Sequence, residues 1–101
     1  MTHLVVDNPV PGFYEFRAHT PGVPIPAVIW REGENLKALV AGREWEPYAA
    51  WIRCAKGRPI TTERYTDLLM RIVEARLTEP WSPWARPFRR IDKAGLLSLY
   101  I

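Results

Sequence analysis

One cysteine and two histidines are the residues of this sequence that could supply a nucleophile and its base. Cys54 could act as a nucleophile with His19 as general base, and the competing interpretation is a half-buried cysteine on a helix. We favour the second, because isolated buried cysteines are usually inert. The spacing of His3, His19 and Cys54 matches no metal-binding pattern. We therefore predict no catalytic residue, no metal site, no cofactor and no enzymatic activity.

The carboxylates and glycines of the sequence do not indicate a catalytic site any more strongly than Cys54 and His19 do. Glu44 and Glu46 would share one face of a short strand, opposite Trp45, and acid–base chemistry would require both in a cleft. A solvated strand face is the interpretation we favour. The six glycines each lie near a turn and match neither phosphate-binding loop pattern.

Aromatic and basic residues alternate in the C-terminal quarter of the chain. Of the patterns in this sequence, it is the one that the needs of folding explain least. Aromatic rings stack on bases and arginines neutralise phosphates, whereas tryptophan and arginine also concentrate binding energy at protein interfaces. The third interpretation is that the rings cover the edge of the domain's own core. The candidate partner-binding residues are Trp81, Trp84, Arg86, Phe88, Arg89 and Arg90.

The charge balance permits an acidic partner without requiring one. The formal net charge is +3, and residues 79–101 carry four basic and two acidic side chains. A second basic group, Arg53, Lys56 and Arg58, surrounds the end of a predicted helix, where cations complement the helix dipole. We expect a protein as partner and keep nucleic acid as the alternative.

Length and composition indicate one small domain. The 101 residues suffice for one core, which we place in residues 1–78, followed by an arm of residues 79–101 that docks on the domain or on a partner. A single cysteine excludes an intramolecular disulfide, and the sequence has neither a signal-peptide pattern nor an apolar run of membrane-spanning length. We expect a cytoplasmic protein without a membrane partner.

The elements that would position these residues form an α+β domain. Alternating apolar residues predict strands at residues 12–18, 27–32, 36–41 and 43–45, an antiparallel meander of three or four strands. Pro21 and Gly22, between the first two strands, fit a type II turn.

Two helices follow the strands. The first begins at Pro47 and ends at Gly57, and the second begins at a Thr61 or Thr62 cap and ends before Pro80. The expected apolar positions of the first helix are Tyr48, Trp51, Ile52 and Ala55. Those of the second helix are Tyr65, Leu68, Leu69, Ile72 and Val73.

The prolines of residues 79–88 exclude regular structure and favour an extended conformation. The apolar end, residues 96–101, is expected to dock on the domain or on a second chain, so a homodimer through this terminus is a further option.

Short structural motifs, none of them catalytic, lie along most of the chain: residues 11–14, 23–30, 39–42, 57–61, Tyr65, 68–69, Pro87, 91–92 and the apolar end. They resemble motifs of small uncharacterised accessory proteins of tailed bacteriophages and prophages. The resemblance implies a phage-borne accessory protein that contacts a host or phage protein in the cytoplasm of a bacterium or an infected host cell, and it assigns no site residue. We expect a non-enzymatic binding module that acts through protein–protein contact, with nucleic-acid binding through the arm as the alternative.

Overall fold

The computed structural model describes residues 8–88 and confirms the predicted α+β class. The chain runs β1 (Gly12–Phe16), β2 (Ile25–Glu32), β3 (Asn35–Val40), β4 (Arg43–Trp45), α1 (Pro47–Lys56), β5 (Arg58–Pro59) and α2 (Thr62–Thr78). The strands form one antiparallel sheet in the order β4-β3-β2-β1-β5. The first four strands are the predicted meander.

The fifth strand was not expected from the sequence. It has two residues, Arg58 and Pro59, which pair with Glu15 and Tyr14 of β1 at the edge of the sheet. Two residues are too short for an alternating pattern, and proline is tolerated in a sheet mainly at such an edge.

The two helices lie on opposite faces of the sheet. Neighbouring strand residues point to opposite faces, and Phe13 contacts Tyr65 of α2 whereas Tyr14 contacts Trp51 of α1. The strand pairing places one set of buried apolar residues on the α1 side: Tyr14, Phe16, Ile25, Ala27, Ile29, Ala38 and Val40.

Two positive φ angles make the tight turn between β3 and β4. Val40 pairs with Arg43, so Ala41 and Gly42 are the two turn residues, with φ of 54° and 80°. Such a turn matches the right-handed twist of the strands. Residues 41–42 therefore hold β4 directly beside β3.

The loop between β1 and β2 does not form the predicted type II turn. That turn needs a positive φ at Gly22, and Gly22 is not among the residues that have one. A Cβ at Gly22 would lie 2.6 Å from the carbonyl oxygen of His19. Glycine is therefore needed here because the backbone passes too close to that oxygen for a side chain.

The sequence predicted the wrong face for α1, apart from Trp51. Ala50 and Cys54 are buried and Trp51 is half-buried against the core, whereas Tyr48 and Ile52 are each about half exposed and Ala55 is exposed. The helix therefore turns its smaller side chains toward the sheet, which lets its backbone approach closely.

The prediction for α2 was correct at its centre. Thr61 caps the helix by accepting a hydrogen bond from the Arg64 N–H, and Tyr65, Leu68 and Ile72 are buried. Leu69 is only half-buried, and Val73 is exposed. Ala75, which the pattern omitted, is buried, so the helix contacts the sheet through a face rotated away from Val73.

Candidate functional site

Part of the C-terminal arm is folded onto the domain. Over residues 80–88 the chain forms successive turns rather than the predicted extended conformation: Ser82 N–H donates to Glu79 and Ala85 N–H donates to Ser82. The buried Ser82 hydroxyl also accepts from the Trp84 N–H at 3.1 Å. These local bonds satisfy backbone groups that an extended arm would leave to solvent.

Phe88 closes one end of the core on the α1 side. Its ring stacks on Trp45 at a centroid distance of 5.5 Å and an interplanar angle of 23°, and it lies 6.1 Å from Phe16. The Nε2 atom of His19 lies 2.8 Å from the Phe88 carbonyl oxygen, a distance at which the ring N–H donates. The Arg53 guanidinium lies about 6 Å from both the Trp45 and the Phe88 ring centroids.

The two tryptophans of the arm have different surroundings. Trp84 is half-buried against the core, and the Arg71 guanidinium lies 5.5 Å from its ring centroid. Trp81 is 70% exposed. Of the candidate residues, Trp84 and Phe88 therefore cover the domain's own core, whereas Trp81 is accessible to a partner.

The structure describes one of the three arginines in the candidate set. Arg86 is exposed and lines a groove beside the β3–β4 turn. Arg89 and Arg90 lie outside the described residues, as does the apolar end at residues 96–101.

The helix α2, which precedes Trp81 in the chain, also carries an exposed apolar stripe. Met70 is 65% exposed, Val73 44% and Leu77 80%, and their spacing puts them on one side of the helix. We call these three residues the outer stripe. The sequence carried a signal for it, because the apolar residues of α2 span a wider arc than one sheet contact can cover.

A second feature missed from the sequence is a groove with three arginines. It has a volume of about 760 Å³ and is bounded by the β3–β4 turn, α2 and residues 80–88. Its basic side chains are Arg43, Arg76 and Arg86. Arg76 follows the buried Leu68 and Ile72 at helical spacing, and a charged residue at such a position was the available signal.

Two residues of the predicted second basic group, Arg53 and Arg58, have structural partners. Arg58 and Arg64 hold the buried Glu15 carboxylate, with nitrogen–oxygen distances of 3.0 Å and 2.9 Å. Burial acts to raise the pKa of Glu15, but the hydrogen bonds and charges of Arg64 and Arg58 outweigh it, and the pKa is lowered. Arg58 and Arg53 therefore stabilise the fold, and Lys56 remains exposed.

Of the residues considered for catalysis, Cys54 is buried, whereas Glu44 and Glu46 are exposed. Burial raises the pKa of the Cys54 thiol to about 12, which keeps it protonated at neutral pH. Glu46 caps α1 by accepting from the Ala49 N–H, and Glu44 is exposed on β4. Within residues 8–88, no group of three histidine, cysteine, aspartate or glutamate side chains is placed to hold a metal ion.

Comparison of the chain with protein families, with curated proteins and with solved structures finds no match. None of the helices between residues 8 and 88 is both long and apolar enough to cross a membrane.

Proposed function

We propose that this chain is a non-enzymatic binding module that acts through protein–protein contact. Its contact surface comprises the outer stripe of α2 and Trp81, which follows the end of that helix by three residues. The single observation that carries the proposal is the exposure of four large apolar side chains, between 44% and 80%, in one short stretch of the chain.

The composition of this surface supports a protein partner. Isolated exposed apolar residues are normal on any surface, but grouped ones mark interaction sites. Methionine and tryptophan are enriched at protein interfaces, where large side chains fill pockets of the partner. The partner then needs a complementary apolar groove or face, into which the outer stripe places side chains at helical spacing.

Nucleic-acid binding through the arm receives less support from the same contacts. Non-specific single-strand binding relies on free aromatic faces, on which successive bases stack. Phe88 is stacked on Trp45, and Trp84 packs against the core beside Arg71. Of the three aromatic residues that the structure describes in the arm, Trp81, Trp84 and Phe88, only Trp81 is exposed, and one ring does not make a stacking platform.

The phage or prophage origin and the cytoplasmic location belong to this proposal. The first is supported by the short motifs between residues 11 and 92, and the second by the sequence's single cysteine, which leaves no intramolecular disulfide to form within these residues. A bacterial lysate is accordingly the first source in which to search for the partner.

Site-specific photo-crosslinking tests the contact surface directly. A photoreactive residue at position 77 should give one discrete adduct with a second protein in bacterial lysate, because Leu77 is the most exposed member of the stripe. The matched control carries the same residue at position 56, since Lys56 is exposed at the end of α1 on the other face of the sheet.

The two positions separate the possible outcomes. The proposal predicts an adduct from position 77 that is absent from position 56 and that disappears when Met70 and Val73 are replaced by serine. Equal labelling from both positions, or no adduct from either, would contradict it. An adduct with a second copy of the chain would assign the stripe to self-association instead.

A further inference from the structure

The groove beside the β3–β4 turn concentrates positive charge against an apolar wall. Arg43 comes from β4, Arg76 from the last turn of α2 and Arg86 from the arm. The other seven lining residues are all apolar, among them Trp45, Phe88 and Ala85. Three elements, β4, α2 and the arm, thus bring three arginines to one cavity.

These charges have no carboxylate partner within the described part of the chain. The ion pairs among residues 8–88 involve Arg58, Arg64 and Arg71, and none includes an arginine of the groove. No aspartate or glutamate in this range lines the cavity. An arginine cluster without counter-charges lowers the cost of bringing an anion into the groove.

Arg76 is held in place and retains an unused donor. Its Nη2 atom donates to the Ala41 carbonyl oxygen at 3.0 Å, which fixes the guanidinium at the base of the turn. Its Nε atom is buried and has no hydrogen-bond partner among the described residues. Burial and then the nearby charge of Arg43 lower the pKa of Arg76, as expected for a cation that lacks an anion.

We infer that this groove binds a phosphate-bearing small molecule of about nucleotide size. Guanidinium groups bind phosphate through paired, charge-assisted hydrogen bonds, so the arginines would hold the phosphates. The apolar wall would hold the uncharged part of the ligand, and a cavity of about 760 Å³ falls in the usual range for such ligands. This site is independent of the outer stripe and does not rest on the proposed function.

Calorimetric titration of the whole chain with inorganic phosphate, pyrophosphate and a nucleoside diphosphate tests the inference. We expect saturable binding of pyrophosphate and tighter binding of the nucleoside diphosphate, because only the latter reaches the apolar wall. Replacing Arg43 and Arg86 together by glutamine should weaken both at least about tenfold, the equivalent of one lost charge-assisted hydrogen bond.

The control removes the same charge elsewhere. Arg31→Gln with Lys56→Gln changes two exposed basic residues outside the groove and should alter affinity less than about twofold. If the groove double variant does not fold by circular dichroism, Arg86→Gln alone serves, since Arg86 is exposed and makes no ion pair with residues 8–88.

Three results would overturn the inference. The first is no saturable binding of pyrophosphate or the nucleoside diphosphate, and the second is equal weakening in the groove and control variants. The third is tighter binding of a single-stranded oligonucleotide than of the nucleoside diphosphate, which would identify a nucleic-acid surface rather than a small-molecule site.

Discussion

Glu15 shows how a single buried charge ties the edge of this sheet together. Its side chain, on the α2 side of β1, is 9% exposed and accepts from Arg58 of β5 and Arg64 of α2. A carboxylate buried without partners would cost several kcal/mol, so both arginines are needed for it to be tolerated. The residue therefore connects strand, edge strand and helix through one group.

This arrangement makes stability depend on pH in a defined direction. The folded-state pKa of Glu15 is lowered from 4.5, so its stabilising contribution is present above that value and is lost as the pH falls through the folded-state pKa. Glu15→Gln should lower the free energy of unfolding by about 1–3 kcal/mol at pH 7. The difference from the unmodified chain should shrink at pH 3.

Urea unfolding of the unmodified chain and of the Glu15→Gln variant, at pH 7 and at pH 3, measures how this difference in stability depends on pH. A deficit of the glutamine variant that is the same at pH 3 as at pH 7 would show that the carboxylate charge contributes nothing.

Among the elements, the junction of α1 and β5 depends on one glycine. Gly57 follows α1 with φ of −99°, so it is not the left-handed residue that often ends a helix. A Cβ at this position would lie 2.0 Å from the Glu15 carbonyl oxygen, and the backbone of β1 cannot move aside cheaply. The glycine permits β5 to pair with β1, which in turn places Arg58 beside Glu15.

Gly57→Ala should therefore destabilise the chain by about 3 kcal/mol, as expected for overpacking against backbone. Gly33→Ala is the matched control, since its added Cβ meets no heavy atom within 4 Å and carries only the cost of a positive φ, about 1–2 kcal/mol. Thermal unfolding compares the two variants. A loss for Gly57→Ala no greater than that for Gly33→Ala would show that β5 adjusts freely.

The second helix provides a test of which side contacts the sheet. Leu68 is 1% exposed and Val73 is 44% exposed, although the sequence pattern places both in one apolar stripe. Leu68→Ala should cost about 2–5 kcal/mol by leaving a cavity, and Val73→Ala should change stability by about 0.5 kcal/mol or less. Denaturant unfolding that gives equal losses would contradict the observed rotation of the helix.

At the scale of the whole molecule, local patterns predicted the elements better than their contacts. Alternation and capping residues located four strands and both helices, because these signals arise from the nearest neighbours along the chain. They could not show that Ala50 rather than Ile52 faces the sheet, since that depends on how closely two elements approach. The two-residue β5 carries no periodic signal at all.

The candidate site was predictable to a smaller extent. Composition alone singled out the arm, but only tertiary contacts distinguish Trp84, which covers the core, from Trp81, which is exposed. The groove joins Arg43, Arg76 and Arg86 from three separate segments, and no local pattern brings such residues together.

The central claim is that the arm has two roles, with Trp84 stabilising the domain and Trp81 contacting a partner protein. Parallel measurement of unfolding free energy and of affinity for the partner captured through position 77 tests it most directly. Trp81→Ala should weaken that affinity about 30-fold or more and change stability by less than about 0.5 kcal/mol. Trp84→Ala should instead lower stability by about 2 kcal/mol. If Trp81→Ala destabilises the fold as much as Trp84→Ala and leaves partner affinity unchanged, the division of roles is wrong.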